Sequence, residues 1–521
     1  MTREIKLRNY HAQVWDEPLI MDLSVKGQRG ILPPESEEEI RAAVGDAEGL
    51  IPAAMRRTRP PELPEVAQPQ VVRHYTRLSQ MTMGNDVSND VGVGTCTMKY
   101  SPKVNEQLCA LPEMAELHPC QNESTVQGIL EILYRTRDFL REISGMDEVS
   151  FQPASGGQAV LTAAAIARAY HEAAGEGRKR DQVITTIHSH PVDAACPATL
   201  GYEVVTLMPD KDGYPDLEAL KAAVSERTAA LMITNPEDIG LYNPRIDEFV
   251  RIVHAAGGLC FTDQANANGV LGKARAADAG FDMCHFNLHK TFSSPHGGMG
   301  PGCGALAVKE KLAKFLPLPV VTFNGRKYGL DFKRPRSIGK VRDFYGNVPV
   351  VLRTYAWIMS LGAKGLETVA ETAVINNNYL ESLLLAIPGV TESYGPGKIR
   401  LDQIRYSWEK LAAETGVTSE DIERRMTDFG IQSYWLSHHP MLIPEPFTPE
   451  PTESYSKEEI EYWAAVMRHI DREAREDPQK VKSAPHRGIT TKIDESAAFF
   501  HEKCMFTYKK YRREKEGKRG E

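Results

Sequence analysis

One lysine, one aspartate and one glycine-rich turn have the residue types and spacing for a single chemistry. Lys290 ends a short apolar run and precedes a loop rich in serine, proline and glycine, so its amine is expected to be desolvated and nucleophilic. Asp263 directly follows another apolar run, and Ser155-Gly156-Gly157 opens an alanine-rich helix. The first N–H groups and the dipole of such a helix favour a phosphate. Together they predict pyridoxal phosphate (PLP), with an imine at Lys290, the ring nitrogen at Asp263 and the phosphate at the glycine turn.

Two histidines and an asparagine also follow predicted strands. His188 and His190 come after the strand that ends at Ile187, and either could stack on the cofactor ring or move a proton; His190 is the catalytic candidate. Asn235 follows the strand that ends near Thr234. His285 and His289 stand four apart but flank a strand rather than share a helix face, so no metal site is expected there.

The elements that must position these residues alternate between strands and helices. Apolar strands are predicted at 183–187, 204–207, 230–233, 259–262 and 283–287, with helices at 159–174, 216–226 and 246–256. This alternation is typical of βαβ units, and it predicts an α/β fold with a mostly parallel sheet flanked by helices. In such a sheet the ligand lies beyond the carboxyl ends of the strands, where the candidate residues fall.

The chain is expected to have three parts. Residues 1–70 are predicted to be an N-terminal arm with a helix at 37–46 and an extended, proline-rich segment to Pro69. Residues 71–345 are predicted to form the large PLP-binding α/β domain, in which the segments 73–80 and 94–100 are expected to be irregular and Ser124 to cap a helix that ends at Gly145. Residues 346–521 form a smaller α+β domain, with helices at 350–386, 409–428 and 457–475.

Composition excludes several classes of protein. The net charge is -8 and the charged residues are spread along the chain, so no nucleic-acid surface is expected. No apolar run has membrane-spanning length, and the N-terminus has no signal-like apolar segment. The cysteines are scattered without a CxxC pair, which favours reduced thiols in the cytoplasm.

Several longer segments resemble the glycine decarboxylase P-protein family, most closely the separate second (B) subunit of its two-subunit bacterial and archaeal forms. The most specific reads Asn-Leu-His-Lys-Thr-Phe at 287–292, Pro-His-Gly-Gly at 295–298 and Gly-Pro-Gly at 300–302. Further similar segments follow in the family's order: Tyr75 to Gln80, Cys96 to Tyr100, Gln152 to Ala154, Thr234 to Pro236, Pro451 to Glu453 and Ala484 to His486. The similarity runs through most of the chain.

The resemblance implies a PLP-dependent enzyme of fold type I, in which Lys290 carries the cofactor. It implies decarboxylation of glycine and transfer of the aminomethyl group to the lipoyl arm of a small carrier, the H protein. It also implies an oligomer with a homologous first (A) subunit. Residue by residue, it adds Ala265, Asn235 and His289 to the residues expected to contact the cofactor.

The chain departs from the family in the loops around this site. The family's Ala-Gly-Ala-His-Gly-Glu turn reads Ala-Ser-Gly-Gly-Gln-Ala at 154–159, and its His-Gly-Thr-Asn-Pro-Ala reads His-Pro-Val-Asp-Ala-Ala at 190–195. Its Asp-Gly-Ala-Asn reads Asp-Gln-Ala-Asn at 263–266, and its Gly-Ser-Cys-Thr-Met-Lys run is altered at 91–96. Two alternatives therefore stay open: a diverged PLP-dependent decarboxylase or lyase that acts on another amino acid, and a non-catalytic subunit on the same scaffold.

Overall fold

The computed structural model describes residues 5–45, 47–84, 88, 99–295, 301–395, 397–431, 442–489, 492 and 507–517. The chain divides into two compact units, one of residues 1–8 and 89–484 and the other of residues 9–88 and 485–521. This division places most of the N-terminal arm with the C-terminal segment. The three-part division at residues 70 and 345 stays a prediction.

The first unit is built on a seven-stranded, mostly parallel sheet with the order β1-β7-β6-β5-β4-β2-β3. Its strands are β1 Glu148–Ser150, β2 Gln182–Thr186, β3 Glu203–Leu207, β4 Thr228–Thr234, β5 Leu259–Asp263, β6 Met283–Asn287 and β7 Gly304–Val308. Strands β6, β5, β4, β2 and β3 run parallel, whereas β7 is antiparallel to β6 and β1 is antiparallel to β7. The predicted fold class is confirmed.

Both faces of this sheet are buried, which is why its strands read as continuous apolar runs rather than alternating ones. Ile184 and Leu231 belong to one hydrophobic core, whereas their neighbours Val183 and Met232 belong to the core on the other face. The helices of the unit are α3 Lys103–Cys109, α4 Pro112–Ala115, α5 Gln127–Ser144, α6 Gly156–Ala173, α7 Val192–Thr199, α8 Leu217–Ala223, α9 Ile246–Ala255, α10 Glu310–Ala313, α11 Val348–Leu384, α12 Glu409–Thr415, α13 Ser419–Met426, α14 Lys457–Glu476 and α15 Pro478–Lys482.

The C-terminal part of this unit has its own apolar core, built from α11 to α15 around Trp408 and Trp463. It includes a small antiparallel sheet of β10 Thr391–Glu392, β11 Tyr406–Ser407 and β12 Pro446–Phe447. A hairpin of β8 Val320–Phe323 and β9 Tyr328–Asp331 precedes it. The helix α11 is interrupted at Gly362, whose φ of 63° suits a residue without a Cβ. The single helix predicted at 409–428 is two separate helices in the structure, α12 and α13.

The second unit contains the helices α1 Glu38–Val44, α2 Gln68–Met81 and α16 Tyr508–Gly517. The prediction that 73–80 is irregular was wrong, because α2 spans that segment. Most of the other segment, 94–100, lies outside the described residues. Pro69 lies in the first turn of α2, where a missing N–H costs no hydrogen bond, so it begins a helix instead of preventing one. On the buried face of α2, His74 and Arg77 hydrogen-bond the carboxylate of Glu17 at 2.8 and 3.1 Å.

The predicted cap at Ser124 was also wrong. The side chain of Asn122 caps a short 3₁₀ turn over Glu123–Thr125, and α5 begins only at Gln127. Gly145 ends α5 in the left-handed conformation, as predicted. Of the family segments, most of the one at Cys96 and the residues from His296 to Gly300 lie outside the described residues. Within the described part of the chain, no helix is long and apolar enough to span a membrane.

Candidate active site

Lys290 lies in a tight turn directly after β6. The five residues of β6 are all buried, and Lys290 itself is only 6% exposed. Its backbone N–H donates to the carbonyl of Asn287 at 3.0 Å, and its carbonyl accepts from Ser293 at 3.0 Å. The neighbouring Thr291 hydroxyl accepts a hydrogen bond from the backbone of Ala267 at 2.8 Å, which joins this turn to the loop after β5. The lysine is therefore placed by two strand-end loops.

Asp263 is the last residue of β5, the strand that pairs with β6. Its Oδ1 accepts the backbone N–H of Ala265 at 2.7 Å, so the carboxylate also shapes its own loop. The imidazole Nε2 of His285 lies 3.5 Å from the same oxygen. Burial lowers the pKa of His285, and the ring stacks on Phe261 with the planes 4° apart. A buried imidazole whose pKa is lowered therefore lies next to the aspartate.

Lys290 and Asp263 line the same cavity, as the strand-end rule predicts for neighbouring parallel strands. Among the described residues its lining is His190, Thr234, Pro236, Asp238, Asp263, Ala265, Asn266, Lys290, Asp402 and Gln403. The structure thus brings together Lys290, Asp263, His190 and Ala265 of the predicted residues. The ends of β4, β5 and β6 and the loop after β2 all contribute. The roles assigned to these residues stay predictions.

Asn235 lies between two lining residues but does not line the cavity. It is buried, and its Oδ1 accepts the backbone N–H of Asn243 at 2.9 Å. Its peptide bond to Pro236 is cis. Asn235 therefore stabilises the loop after β4.

The glycine turn starts α6 close to the lysine loop but outside the cavity. Ser155 is the N-cap, and its Oγ accepts from the N–H of Gln158 at 3.1 Å. A Cβ at Gly156 would lie 2.7 Å from Nδ2 of Asn287, at the end of β6. A Cβ at Gly157 would face Val192, the first residue of α7. The start of α6 therefore packs between the end of β6 and the start of α7.

Of the three histidines predicted near the cofactor, only His190 lines the cavity. The Nε2 of His188 instead makes a 2.7 Å hydrogen bond with the hydroxyl of Tyr394. The Nδ1 of His289 accepts from the backbone of Cys303 at 3.2 Å, at the entry to β7. His190 Nδ1 accepts from the N–H of Val192 at 3.2 Å, which fixes its ring at the start of α7. Of the two histidines considered for stacking on the cofactor ring, His190 lines the cavity and His188 does not.

Acidic residues near the cavity were missed from the sequence. Asp238 and Asp402 line it, and Asp193 and Glu237 are buried nearby. Burial raises the pKa of Asp402 to about 6 and that of Glu237 to about 8. Burial, reinforced by Asp263 and Asp238, raises the pKa of Asp193 well above its usual range.

These acidic residues could not all have been found from pattern. Asp238 follows the segment Thr234 to Pro236, and that proximity was a usable signal. Asp402 comes from the C-terminal part of the unit, in a stretch without any motif. Only the folding of that part over the strand ends brings it to the cavity.

Comparisons with known proteins identify the class of protein to which this fold and this lysine–aspartate cavity belong. Residues 146–392 match the family Aminotransferase class-V, and residues 369–487 match the family Glycine dehydrogenase, C-terminal domain. In structure, the chain is similar to a crystal structure of the glycine decarboxylase (P-protein) of the glycine cleavage system in inhibitor-bound form. That similarity has a TM-score of 0.70 at 20% identity and covers 84% of this chain and 100% of the other. A NifS-like protein is similar with a TM-score of 0.56 at 17% identity, over 74% of this chain and 98% of the other.

Whole-length relatives narrow the class. The chain is 42% identical to the probable glycine dehydrogenase (decarboxylating) subunit 2 of Pyrococcus abyssi, over 97% of this chain and 99% of the relative. It is 41% identical to the protein of the same name from Caldanaerobacter subterraneus, over 92% of this chain and 96% of the relative. The chain belongs to the glycine dehydrogenase (decarboxylating) subunit 2 family.

Proposed function

We propose that this chain decarboxylates glycine with PLP and transfers the remaining aminomethyl group to the lipoyl arm of an H protein. The observation that carries the proposal is that Lys290 and Asp263 line one cavity in a chain similar over its whole length to glycine dehydrogenase subunit 2. In this reaction carbon dioxide leaves glycine, the aminomethyl carbon bonds to one sulfur of the lipoyl disulfide, and the other sulfur is reduced to a thiol.

The residues present fit PLP. The Lys290 amine and the Asp263 carboxylate share a cavity, and the first turn of α6 offers N–H groups beside it. When bound, the cofactor supplies an electron sink for the electrons left when carbon dioxide departs.

The chain's own residues would hold and orient that group. Lys290 would hold it covalently, and Asp263 would keep a proton on the ring nitrogen. The backbone N–H of Ala265 would fix the direction of the Asp263 carboxylate, and the buried His285 would lie behind it. His190 would cover one face of the cofactor ring, and Ala265 would contact the ring from another part of the cavity wall.

Two protein partners follow from the proposal. The relatives' name, subunit 2, supports a homologous first subunit as a partner of this chain. The transfer step requires a lipoylated H protein as acceptor. A cytoplasmic location is supported by the described cysteines, which are all free: Cys109, Cys120, Cys196, Cys260, Cys284 and Cys303.

Exchange of labelled bicarbonate into glycine tests the proposal. The assay contains this chain, the first subunit, PLP and lipoylated H protein, and it is repeated without each component. Label should enter glycine only in the complete mixture and not with Lys290→Ala. If PLP binds at Lys290 but no label enters glycine, the proposal that glycine is the substrate is refuted. If the wild-type chain does not bind PLP, the proposal that it is a PLP-dependent enzyme is refuted.

A further inference from the structure

A buried charged network lies beside the cavity and has no role in the chemistry above. The Nζ of Lys99 donates to Oε1 of Glu453 at 2.7 Å and lies 4.7 Å from the centre of the Trp357 ring. The Lys99 side chain is completely buried, and Glu450 is also fully buried. Buried charges are costly unless they are paired and hydrogen-bonded. Here Lys99 is paired with the partly exposed Glu453, and the buried Glu450 is hydrogen-bonded by two asparagines.

Glu450 is the member that bonds a residue of the cavity wall, Asn266. Its Oε1 accepts from Nδ2 of Asn266 at 2.5 Å and from Nδ2 of Asn268 at 2.8 Å. The Oδ1 of Asn266 accepts in turn from the backbone N–H of Asn268 at 2.9 Å. Lys99 completes the cluster with a 3.4 Å hydrogen bond to Oδ1 of Asn268. One carboxylate thus fixes both amides of the loop that follows β5.

That loop forms one wall of the cavity. It begins at Asp263 and includes Ala265 and Asn266, which all line the cavity. At its far end, the backbone of Ala267 is tied to the Thr291 hydroxyl beside Lys290. The Asp263 carboxylate holds the start of the loop through the N–H of Ala265. Glu450 is therefore an attachment from outside the strand ends that bonds a residue of the cavity wall, and it comes from the segment just after β12.

We propose that Glu450 is a positioning residue for the cofactor site, and that Lys99 supports the same loop through Asn268. Glu450 holds Asn266 in the cavity wall and thereby sets the loop that carries Asp263 and Ala265. The inference rests on the proposed function, because the ligand whose binding it controls is PLP. It also gives a role to two family segments that the chemistry leaves unexplained, those ending at Tyr100 and at Glu453.

A swap of donor and acceptor tests this role. Asn266→Asp replaces the donating amide with a carboxylate that faces Glu450, so two acceptors repel each other. Glu450→Gln alone keeps an oxygen that can accept from both asparagines. The double variant N266D/E450Q lets the glutamine amide donate to the new carboxylate, which restores that pair but gives up the hydrogen bond from Asn268, because one oxygen of Glu450 accepts from both asparagines. PLP dissociation constants are measured by equilibrium dialysis on the full-length chain, and folding is measured by urea unfolding without PLP.

We expect N266D to weaken PLP binding by about tenfold or more, as for loss of one charge-assisted hydrogen bond. E450Q, whose remaining oxygen can still accept from both asparagines, should lose less PLP affinity than N266D, and the double variant should recover part of the affinity lost in N266D. Wild-type affinity in N266D would overturn the inference while leaving the proposed function intact. The inference would also be overturned by a double variant that regains the wild-type urea midpoint but binds PLP no more tightly than N266D. A wild type that does not bind PLP would instead overturn the proposed function.

Discussion

Two adjacent glycines at the start of α6 are predicted to respond in opposite ways to alanine. Both have helical backbone geometry, so alanine should gain about 1 kcal/mol of helix preference at either position. At Gly156 the new Cβ would lie 2.7 Å from Nδ2 and 3.0 Å from Oδ1 of Asn287. Carbon atoms in packed interiors sit about 3.5–4.0 Å from their neighbours, so Asn287 must move. At Gly157 the nearest atom, Cγ1 of Val192, would lie at an ordinary 3.7 Å.

The magnitude follows from these distances. Overpacking of this kind costs about 1–3 kcal/mol, which cancels or exceeds the helix gain at Gly156. Gly157→Ala should therefore raise the free energy of unfolding by about 1 kcal/mol, and Gly156→Ala should lie about 1–3 kcal/mol below it. Because Asn287 also accepts the backbone N–H of Lys290 through its carbonyl, Gly156→Ala should weaken PLP binding as well.

Urea unfolding of the two variants under identical conditions measures the difference, and Gly157→Ala serves as the matched control. PLP titration of the same samples measures the effect on the site. A Gly156→Ala variant as stable as Gly157→Ala, with unchanged PLP affinity, would refute the argument. That result would mean that the end of β6 yields without cost.

Three further results are expected. Lys290→Ala should abolish the long-wavelength absorption band of the PLP-loaded protein, and a band retained on dialysis would contradict its role. Asp263→Asn should keep the fold but lower bicarbonate exchange by about 10²-fold or more, because a neutral amide does not hold the ring proton; exchange within twofold of wild type would reject that role. The pKa of Glu237, raised to about 8 by burial, means that the folded chain keeps a proton that the unfolded chain releases near pH 4.3, so this residue lowers stability as pH rises through that window. Glu237→Gln keeps an oxygen for its hydrogen bond from Thr186 and should therefore be more stable than wild type at pH 8 but not below pH 4, as measured by urea midpoints across pH; an equal midpoint difference at all pH values would exclude the titration.

Fold class was accessible from the sequence because it depends on local patterns. Buried parallel strands leave continuous apolar runs, and β6 could be placed at its exact bounds from Met283 to Asn287. Where local rules compete, the predictions from the sequence were wrong. Pro69 reads as a helix breaker until its place in the first turn of α2 is known, and Asn122 is preferred over Ser124 as a cap because the chain forms a 3₁₀ turn first.

The sequence by itself also determined the central pair of the candidate site. Lys290 and Asp263 follow adjacent strands, and parallel strands deliver their carboxyl ends to one edge. Only the tertiary structure decided which histidine reaches the cavity, since His188 and His190 follow the same strand but point to different partners. It alone brought Asp402 and Glu450 to the site, because their places depend on packing between segments far apart in the chain, and such long-range contacts leave no periodic signal in the residues that make them.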